Sequence, residues 1–274
     1  MPPRYAATVV VPLLRQRAAW LAQSVRSALT QTVPCEVIVV TSPATPAGNL
    51  AVLADLRARW PNLGVRPQAR AGFGAAINTG IAAATTERLG LLLSDDWLEP
   101  DAVAACLPAA ADIVSTARRC YAADGRRELR HLRRPSRQRE LERRPSLEAR
   151  ARYLTHFFLF RREKLLAVGG VDETLGDPAG IDDYDLIWVL LEHGATVRVV
   201  ERMLYNYRDH DGERLTLRAV DEIRATLIRI LAKHGVTSDA QAAIVAHQSR
   251  WFGRPLSVVA TRVARRRSGA RVPR

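Results

Sequence analysis

Short apolar runs alternate with segments of helical periodicity through residues 1–93, and this alternation limits the fold more than any other feature of the sequence. The strand-like runs are rich in β-branched residues and lie at residues 6–11, 36–40, around 65 and 89–93. The segments between them repeat apolar residues at helical spacing, at residues 21–29, 49–60 and 74–84. Strands that alternate with helices over short connections predict a mostly parallel sheet, whose ligands bind beyond the carboxyl ends of the strands. We therefore predict a Rossmann-like α/β fold with helices flanking the sheet.

An arginine-rich stretch interrupts this pattern. Residues 118–152 contain thirteen arginines and five acidic residues, and Pro135 and Pro145 break any helix there. This composition predicts an insertion that is mobile or partly helical.

The α/β pattern then resumes and gives way to helices. The spacing predicts strands at 155–160 and 196–200, and helices at 161–168, 183–192, 219–234 and 239–247. A frayed basic tail with six arginines is expected from residue 262 onwards. We expect a main domain at residues 1–215, containing the insertion, and a C-terminal appendage of helices and basic tail at residues 216–274.

The formal net charge of +13 is carried almost wholly by arginine, because Lys164 and Lys233 are the only lysines. An arginine fork binds phosphate with two hydrogen bonds, so the charge favours a phosphate-bearing partner. The alternative is a solvated basic surface with no ligand.

The three cysteines are odd in number and lack paired ligand spacing, so neither a disulfide framework nor a zinc site is indicated. We see no charged leader with an apolar stretch and no run of about 20 apolar residues. We therefore expect a cytoplasmic protein, and peripheral contact with the inner face of a membrane stays open.

Two aspartates, Asp95 and Asp96, directly follow the strand-like run at 89–93. Adjacent carboxylates repel each other, and a divalent cation would compensate them. Mg²⁺ and Mn²⁺ take such oxygen ligands together with substrate phosphates. The alternative is a pair of surface acids that cap the helix beginning near Glu99.

A second acidic cluster, residues 182–185, opens the helix predicted at 183–192. Helix N-termini favour negative charge without any catalytic role, although this explains one acid better than three. A carboxylate there could instead be a general base that takes a proton from an attacking hydroxyl. His210 lies in a polar loop after a strand, where a lone histidine is more often a surface residue than a ligand.

Seven motifs occur in an order that is specific when taken together. They are VVVP with the helix ending SALTQT, EVIVV, the glycine-containing segment 72–85, SDDWLEPDAV, GGVDE at 169–173, DDYDL at 182–186 and YRDH at 207–210. In this order the chain resembles glycosyltransferase family 2 over about residues 5–215. The resemblance implies a GT-A type fold that binds a nucleotide-sugar donor and a divalent metal, Mn²⁺ or Mg²⁺.

The resemblance also implies roles for single residues. Asp95 and Asp96 would contact the donor ribose and coordinate the metal, which His210 would join. Asp183 would be the catalytic base, with Asp182 and Asp185 as supporting neighbours. The acceptor hydroxyl would attack the anomeric carbon in line as the nucleotide leaves, so the configuration would invert. The positions implied in donor binding are Pro12, Ser42, Arg70, Asn78 and Asp95.

The sequence departs from the family pattern at the donor site. Residues 41–44 read TSPA where relatives usually have DDGS, Leu93 replaces the first acid of a DxDD motif, and Arg70 stands where asparagine is common. The usual uracil-binding acid is therefore missing, and a guanine or thymine nucleotide is as plausible as uridine.

The sequence leaves three alternatives open, two for the acceptor and one without catalysis. A hydroxylated base in DNA, or a nucleic-acid-binding role on a catalytically vestigial scaffold, would use the arginine-rich stretches. A lipid-linked or other glycan acceptor is the third, and there the same arginines and Trp251, Phe252 and Leu256 would contact an anionic membrane.

Overall fold

A computed structural model describes residues 4–175, 181–212, 217 and 220–260, with only the backbone of Asp182. The strands are β1 Ala7–Leu13, β2 Cys35–Thr41, β3 Leu63–Pro67, β4 Arg88–Leu91, β5 Trp97–Leu98, β6 Ile113–Ala122, β7 Phe158–Arg161 and β8 Val197–Asp209. The helices are α1 Ala18–Leu29, α2 Ala47–Arg59, α3 Phe73–Ala83, α4 Ala102–Cys106, α5 Gln138–Glu142, α6 Leu147–Tyr153, α7 Arg162–Ala167, α8 Asp182–Glu192, α9 Val220–Lys233 and α10 Ser238–Gln248. The basic tail from residue 262 lies outside the described residues.

These eight strands form one sheet in the order β3-β2-β1-β4-β7-β6-β8-β5. Four of its seven pairings are parallel, and the three antiparallel pairings involve β5 and β7. The predicted α/β fold with a mostly parallel sheet is confirmed. Strand β1 is buried along its whole length, as expected of a parallel strand covered on both faces.

Helix α3 lies unusually close to the sheet. A Cβ atom added at Gly80 would come within 2.3 Å of the side chain of Val10 on β1. Glycine at this position therefore allows the helix to approach the strand.

Strand β6 was not predicted, and it begins before the arginine-rich stretch and continues into it. Its sequence, IVSTARRCYA, joins an apolar start to two arginines and lacks a clear two-residue alternation. Residues 118–122 therefore belong to the sheet, and the rest of the stretch holds α5, α6 and a short 3-10 helix, Arg130–Leu132. The expectation of partial helix is met there, but not for these first five residues.

Strand β8 is much longer than the five residues predicted at 196–200. It runs parallel to β6 through residue 209, with a register shift near Ala117. Its second half, from Leu204 onwards, is buried. The strand consequently carries its last residues to the turn that follows β4.

Helix α9 shares its core with α8. Ile223, Leu227, Ile230 and Leu231 are buried in the same apolar cluster as Leu186 of α8. No helix among the described residues is long and apolar enough to cross a membrane.

Candidate active site

The first acidic pair lies in the turn between β4 and β5. Since β5 pairs with β8, this turn lies against the end of β8. The carboxylate oxygen Oδ2 of Asp95 is 3.0 Å from Nε2 of His210, and the two side chains are 17% and 2% exposed. Residues separated by 115 positions in the chain thus lie in contact.

The imidazole of His210 is held on two further sides. The backbone N–H of Gly212 donates to Nδ1 at 3.1 Å, and the ring of Trp20 lies 4.6 Å away between centroids. Because Nδ1 accepts a hydrogen bond, Nε2 is the nitrogen that carries a proton toward Asp95. A metal bound at Nε2 would need that proton on Nδ1 instead, so the Gly212 N–H would have to release its hydrogen bond.

Oxygen and imidazole nitrogen form a donor set that suits Mn²⁺ and accepts Mg²⁺. The described residues contain no group of three or more His, Cys, Asp or Glu side chains able to hold a metal. A cation at Asp95 and His210 would therefore need further oxygens from a bound diphosphate. The pair fits a metal that is held jointly by protein and donor.

The second aspartate of the pair, Asp96, is turned toward β8. It is 1% exposed, its Oδ2 accepts a hydrogen bond from the Tyr205 hydroxyl at 2.6 Å, and its Oδ1 accepts one from the Arg208 backbone N–H at 2.7 Å. Burial, together with the Asp96 carboxylate, raises the pKa of Tyr205 well above its ordinary value, so the phenol keeps its proton and donates a hydrogen bond to Asp96. This geometry favours a role for Asp96 in positioning β8 over direct metal coordination.

A buried arginine, Arg208, compensates the two aspartates. Its side chain donates to the carbonyl oxygens of Asp95 at 2.8 Å and of Ala123 at 3.0 Å, and it packs between the rings of Trp20 and Trp97, each 4.8 Å away. Burial lowers the pKa of Arg208, while Asp96 and Asp95 oppose that effect. The sequence had suggested that a metal alone offsets the negative charge of Asp95 and Asp96. The Arg208 guanidinium supplies part of that positive charge.

Replacing Asp96 by alanine is expected to lower the free energy of unfolding by about 3 kcal/mol or more, because it leaves the buried Tyr205 hydroxyl and the Arg208 backbone N–H without their acceptor and removes one of the carboxylates that offset the Arg208 charge. Urea denaturation followed by tryptophan fluorescence measures this loss. Asp95→Ala is the matched control and should cost less, since Asp95 is more exposed. Equal unfolding midpoints for the two variants would contradict the assignment.

The second acidic cluster begins helix α8. Oδ2 of Asp183 is 3.0 Å from Nε2 of His156, and the Asp183 side chain is 30% exposed. The ring of His156 stacks on Tyr205, with 5.4 Å between centroids, and Tyr205 is the residue bonded to Asp96. A continuous run of contacts therefore joins the two acidic segments.

His156 was not among the predicted site residues. It lies in the run THFFLF, where only strand character was visible, and its partner Asp183 is 27 positions away. Its side chain is 14% exposed, and its Nδ1 is buried without a hydrogen-bond partner. Of the His156–Asp183 pair, the carboxylate is thus the group open to a ligand.

The two acids predicted to support Asp183 are placed differently. Asp185 is 1% exposed and bonds Nζ of Lys233 at 2.8 Å and Nε2 of His234 at 3.0 Å. It therefore anchors α9 to α8 and faces away from Asp183. The side chain of Asp182 lies outside the described residues.

The positions implied in donor binding include two that bond the same acid. Arg70 donates two hydrogen bonds to Glu173, both 2.7 Å long, and Asn78 donates to Glu173 at 2.8 Å and to the carbonyl of Val171 at 2.9 Å. These contacts tie the middle of α3 and the turn before it to residues 169–173.

The other two lie at the carboxyl ends of neighbouring strands. Pro12 is buried near the end of β1, opposite Val40, and the Ser42 backbone N–H donates to the carbonyl of Leu13 at 3.2 Å. Donor contact at these four positions remains a prediction.

Two bacterial synthases are similar in sequence to this chain over short stretches. The chain is 33% identical to a chondroitin synthase of Escherichia coli over 88 residues, which cover 32% of this chain and 13% of the synthase. It is 32% identical to a hyaluronan synthase of Pasteurella multocida over 90 residues, 33% of this chain and 9% of that protein. The chain thus matches about a tenth of the length of these relatives.

Solved structures with the same fold cover far more of the chain. S. aureus TarS 1-349 in complex with UDP-GlcNAc superposes with a TM-score of 0.63 at 17% identity, over 82% of this chain and 65% of that one. The mannosyltransferase PcManGT from Pyrobaculum calidifontis in complex with GDP-Man and Mn²⁺ gives a TM-score of 0.61 at 18% identity, over 99% and 78%. The model of "Glycosyl transferase family 2" matches residues 8–169, more than half of the sequence. Together with the GT-A fold, this match shows that the chain belongs to glycosyl transferase family 2.

Proposed function

We propose that this protein is a metal-dependent, inverting glycosyltransferase that moves a sugar from a nucleotide-sugar donor to an acceptor hydroxyl. The observation that carries the proposal is the run of contacts from Asp95 and Asp96 through Tyr205 and His156 to Asp183. It connects a candidate metal site to a candidate base through side-chain contacts. Family membership and the two nucleotide-sugar complexes of the same fold support it.

The metal would be held by the Asp95 carboxylate and Nε2 of His210. When bound, Mn²⁺ or Mg²⁺ supplies positive charge that stabilises the departing nucleotide diphosphate. The protein contributes rigidity, because the ring of Trp20 packs against the imidazole. Asp96 and Arg208 hold the turn that presents Asp95.

Asp183 would take the proton from the acceptor hydroxyl as that oxygen attacks the anomeric carbon. His156 donates to one carboxylate oxygen and so fixes its orientation, while the exposed part of the carboxylate can meet the hydroxyl. His156 itself does not fit as the base, because its second nitrogen is buried. A single carboxylate base and direct displacement imply inversion of configuration.

The donor nucleotide is tested with a panel of UDP-, GDP- and dTDP-sugars, incubated with Mn²⁺ and followed by nucleotide release. We expect release from one nucleotide class well above the others, since residues 41–44 form one fixed turn after β2. Release from none of the donors, in the presence of either metal and of added hydroxyl acceptors, would overturn the proposed function.

DNA and lipid-linked or other glycan acceptors both remain consistent with the arginine-rich surface. The same holds for a cytoplasmic location with peripheral membrane contact. The paired Asp95–His210 and Asp183–His156 contacts favour an active enzyme over a vestigial nucleic-acid-binding scaffold, since such a scaffold has no use for two aligned acid–imidazole pairs.

A further inference from the structure

Three arginines of the 118–152 stretch converge without acidic partners. Arg118 and Arg134 bond each other across strands through their backbones, with N–H to O distances of 3.1 and 3.0 Å. Arg144 lies over the ring of Tyr153, 4.4 Å from its centroid, and the Arg134 guanidinium donates to the carbonyl of Tyr153 at 3.2 Å. We call these three residues the arginine cluster.

Several neighbouring arginines of the stretch do have carboxylate partners. Arg119 pairs with Glu99, Arg133 with Glu128 and Arg152 with Glu148, at N–O distances of 2.7, 2.5 and 2.7 Å. No described carboxylate forms an ion pair with Arg118, Arg134 or Arg144. Among the described arginines of the stretch that form no ion pair, Arg118, Arg134, Arg144 and Arg150 are partly buried and the others are exposed.

The cluster is also under-satisfied in hydrogen bonds and electrostatically strained. The Nε atoms of Arg118 and Arg144 are buried and have no hydrogen-bond partner. Burial and, after it, the charges of Arg118, Arg152 and Arg144 together lower the pKa of Arg134 to about 10, while Tyr153 opposes them. Buried donors and like charges of this kind are stabilised by an anion that accepts from several guanidinium groups.

The arginine cluster lies near the residues that contact the proposed base, Asp183. Arg118 lies opposite Tyr205 in the β6–β8 pairing and packs over the ring of Tyr207 at 4.7 Å. Arg134 bonds the carbonyl of Tyr153, three residues before His156, which holds Asp183. The candidate metal pair, in contrast, lies where the end of β8 meets the turn after β4.

We propose that the arginine cluster is a subsite for a phosphate group carried by the acceptor. The inference rests on the proposed function, because it places the acceptor near Asp183 and the donor near Asp95 and His210. The ligand is a phosphate ester or diphosphate borne by a molecule with a free hydroxyl, and guanidinium forks suit its oxygens. The source is either a soluble sugar phosphate or a lipid-linked phosphate.

Calorimetric titration with inorganic phosphate tests the subsite directly. We expect saturable binding that weakens by at least about tenfold in the double variant Arg118→Gln/Arg144→Gln, since each substitution removes a charge-assisted donor. The control Arg139→Gln/Arg143→Gln removes the same charge from exposed positions of the same stretch and should bind like the unaltered protein. Arg134 is left unchanged because its guanidinium holds backbone carbonyls.

Two further measurements separate the loss of the guanidinium groups from the loss of charge and from unfolding. Arg118→Lys/Arg144→Lys keeps the charge but loses the fork, so its affinity should lie between those of the glutamine variant and the unaltered chain. Thermal unfolding of all variants checks that each is folded. Phosphate affinity that is equal in the cluster and control variants overturns the proposal.

Titration in the presence of saturating UDP or GDP and Mg²⁺ separates acceptor from donor. Phosphate binding that persists supports the acceptor subsite, whereas binding abolished by nucleotide assigns the cluster to the donor and overturns the proposal. Glycerol 3-phosphate and phosphatidylglycerol vesicles then identify the source, as the one whose binding falls only in the cluster variant. Phosphate binding does not depend on nucleotide release, so failure of the proposed function would be seen separately.

Discussion

Replacing Asp183 by asparagine is expected to lower the turnover number by about 10²–10⁴-fold, the usual contribution of a general base. Asparagine has the same shape, and its amide oxygen can still accept the hydrogen bond from His156. The loss would therefore come from the missing basicity and not from a disturbed cleft. Initial rates of nucleotide release at saturating donor and acceptor measure it, and the dissociation constant for the donor should change by less than about threefold, because Asp183 is not expected to contact the nucleotide.

Asp185→Asn is the matched control for this variant. It changes another acid of α8 that bonds Lys233 and His234, so we expect a lower unfolding temperature and a much smaller loss of turnover than in Asp183→Asn, because the asparagine oxygen can still accept from Lys233. A fully active Asp183→Asn protein would show that the base lies elsewhere.

Removal of divalent metal is expected to reduce nucleotide release by at least about 10²-fold, because the proposed metal supplies the positive charge that offsets the leaving diphosphate. Added Mn²⁺ or Mg²⁺ should restore the rate after treatment with a chelator. Asp95→Asn and His210→Ala should each raise the metal concentration for half-maximal activity by about tenfold or more, since each removes one of two protein ligands.

Binding of Mn²⁺, followed by electron paramagnetic resonance with nucleotide diphosphate present, gives a readout that does not require turnover. The control is His193→Ala, a histidine at the far end of α8 that bonds a carbonyl of its own helix. Full activity in chelator, together with unchanged Mn²⁺ affinity in Asp95→Asn, would remove the metal from the proposal.

Sequence patterns were sufficient for the elements whose signal is local. The buried strands β1 and β2 are continuous β-branched runs, and helices α1 to α3 repeat apolar residues at helical spacing, so both were found within a few residues. The motif order also identified the family. Strand β6 was missed because Arg118 and Arg119 interrupt its apolar character, although Arg118 packs on Tyr207 and Arg119 pairs with Glu99.

The site was predictable only in part, for a physical reason. Acids at the ends of elements are visible in the sequence, and Asp95, His210 and Asp183 do lie in one connected network. The neutral and cationic residues that contact these acids cannot be identified from the sequence. Tyr205, Arg208 and His156 act through contacts 27 to 113 positions away, which no spacing rule encodes. Asp96 and Asp185 consequently seemed available for chemistry although buried partners engage them.

The attachment of α9 to α8 also affects the position of the proposed base. Asp183 lies in the first turn of α8, and two residues later Asp185 is fastened by Lys233 and His234, whose ring also stacks on Trp188 at 4.0 Å. The aim of the proposed base thus depends on a helix that carries none of the seven family motifs. A truncation placed directly after the last motif would keep every residue assigned to the reaction and still leave that carboxylate without its brace.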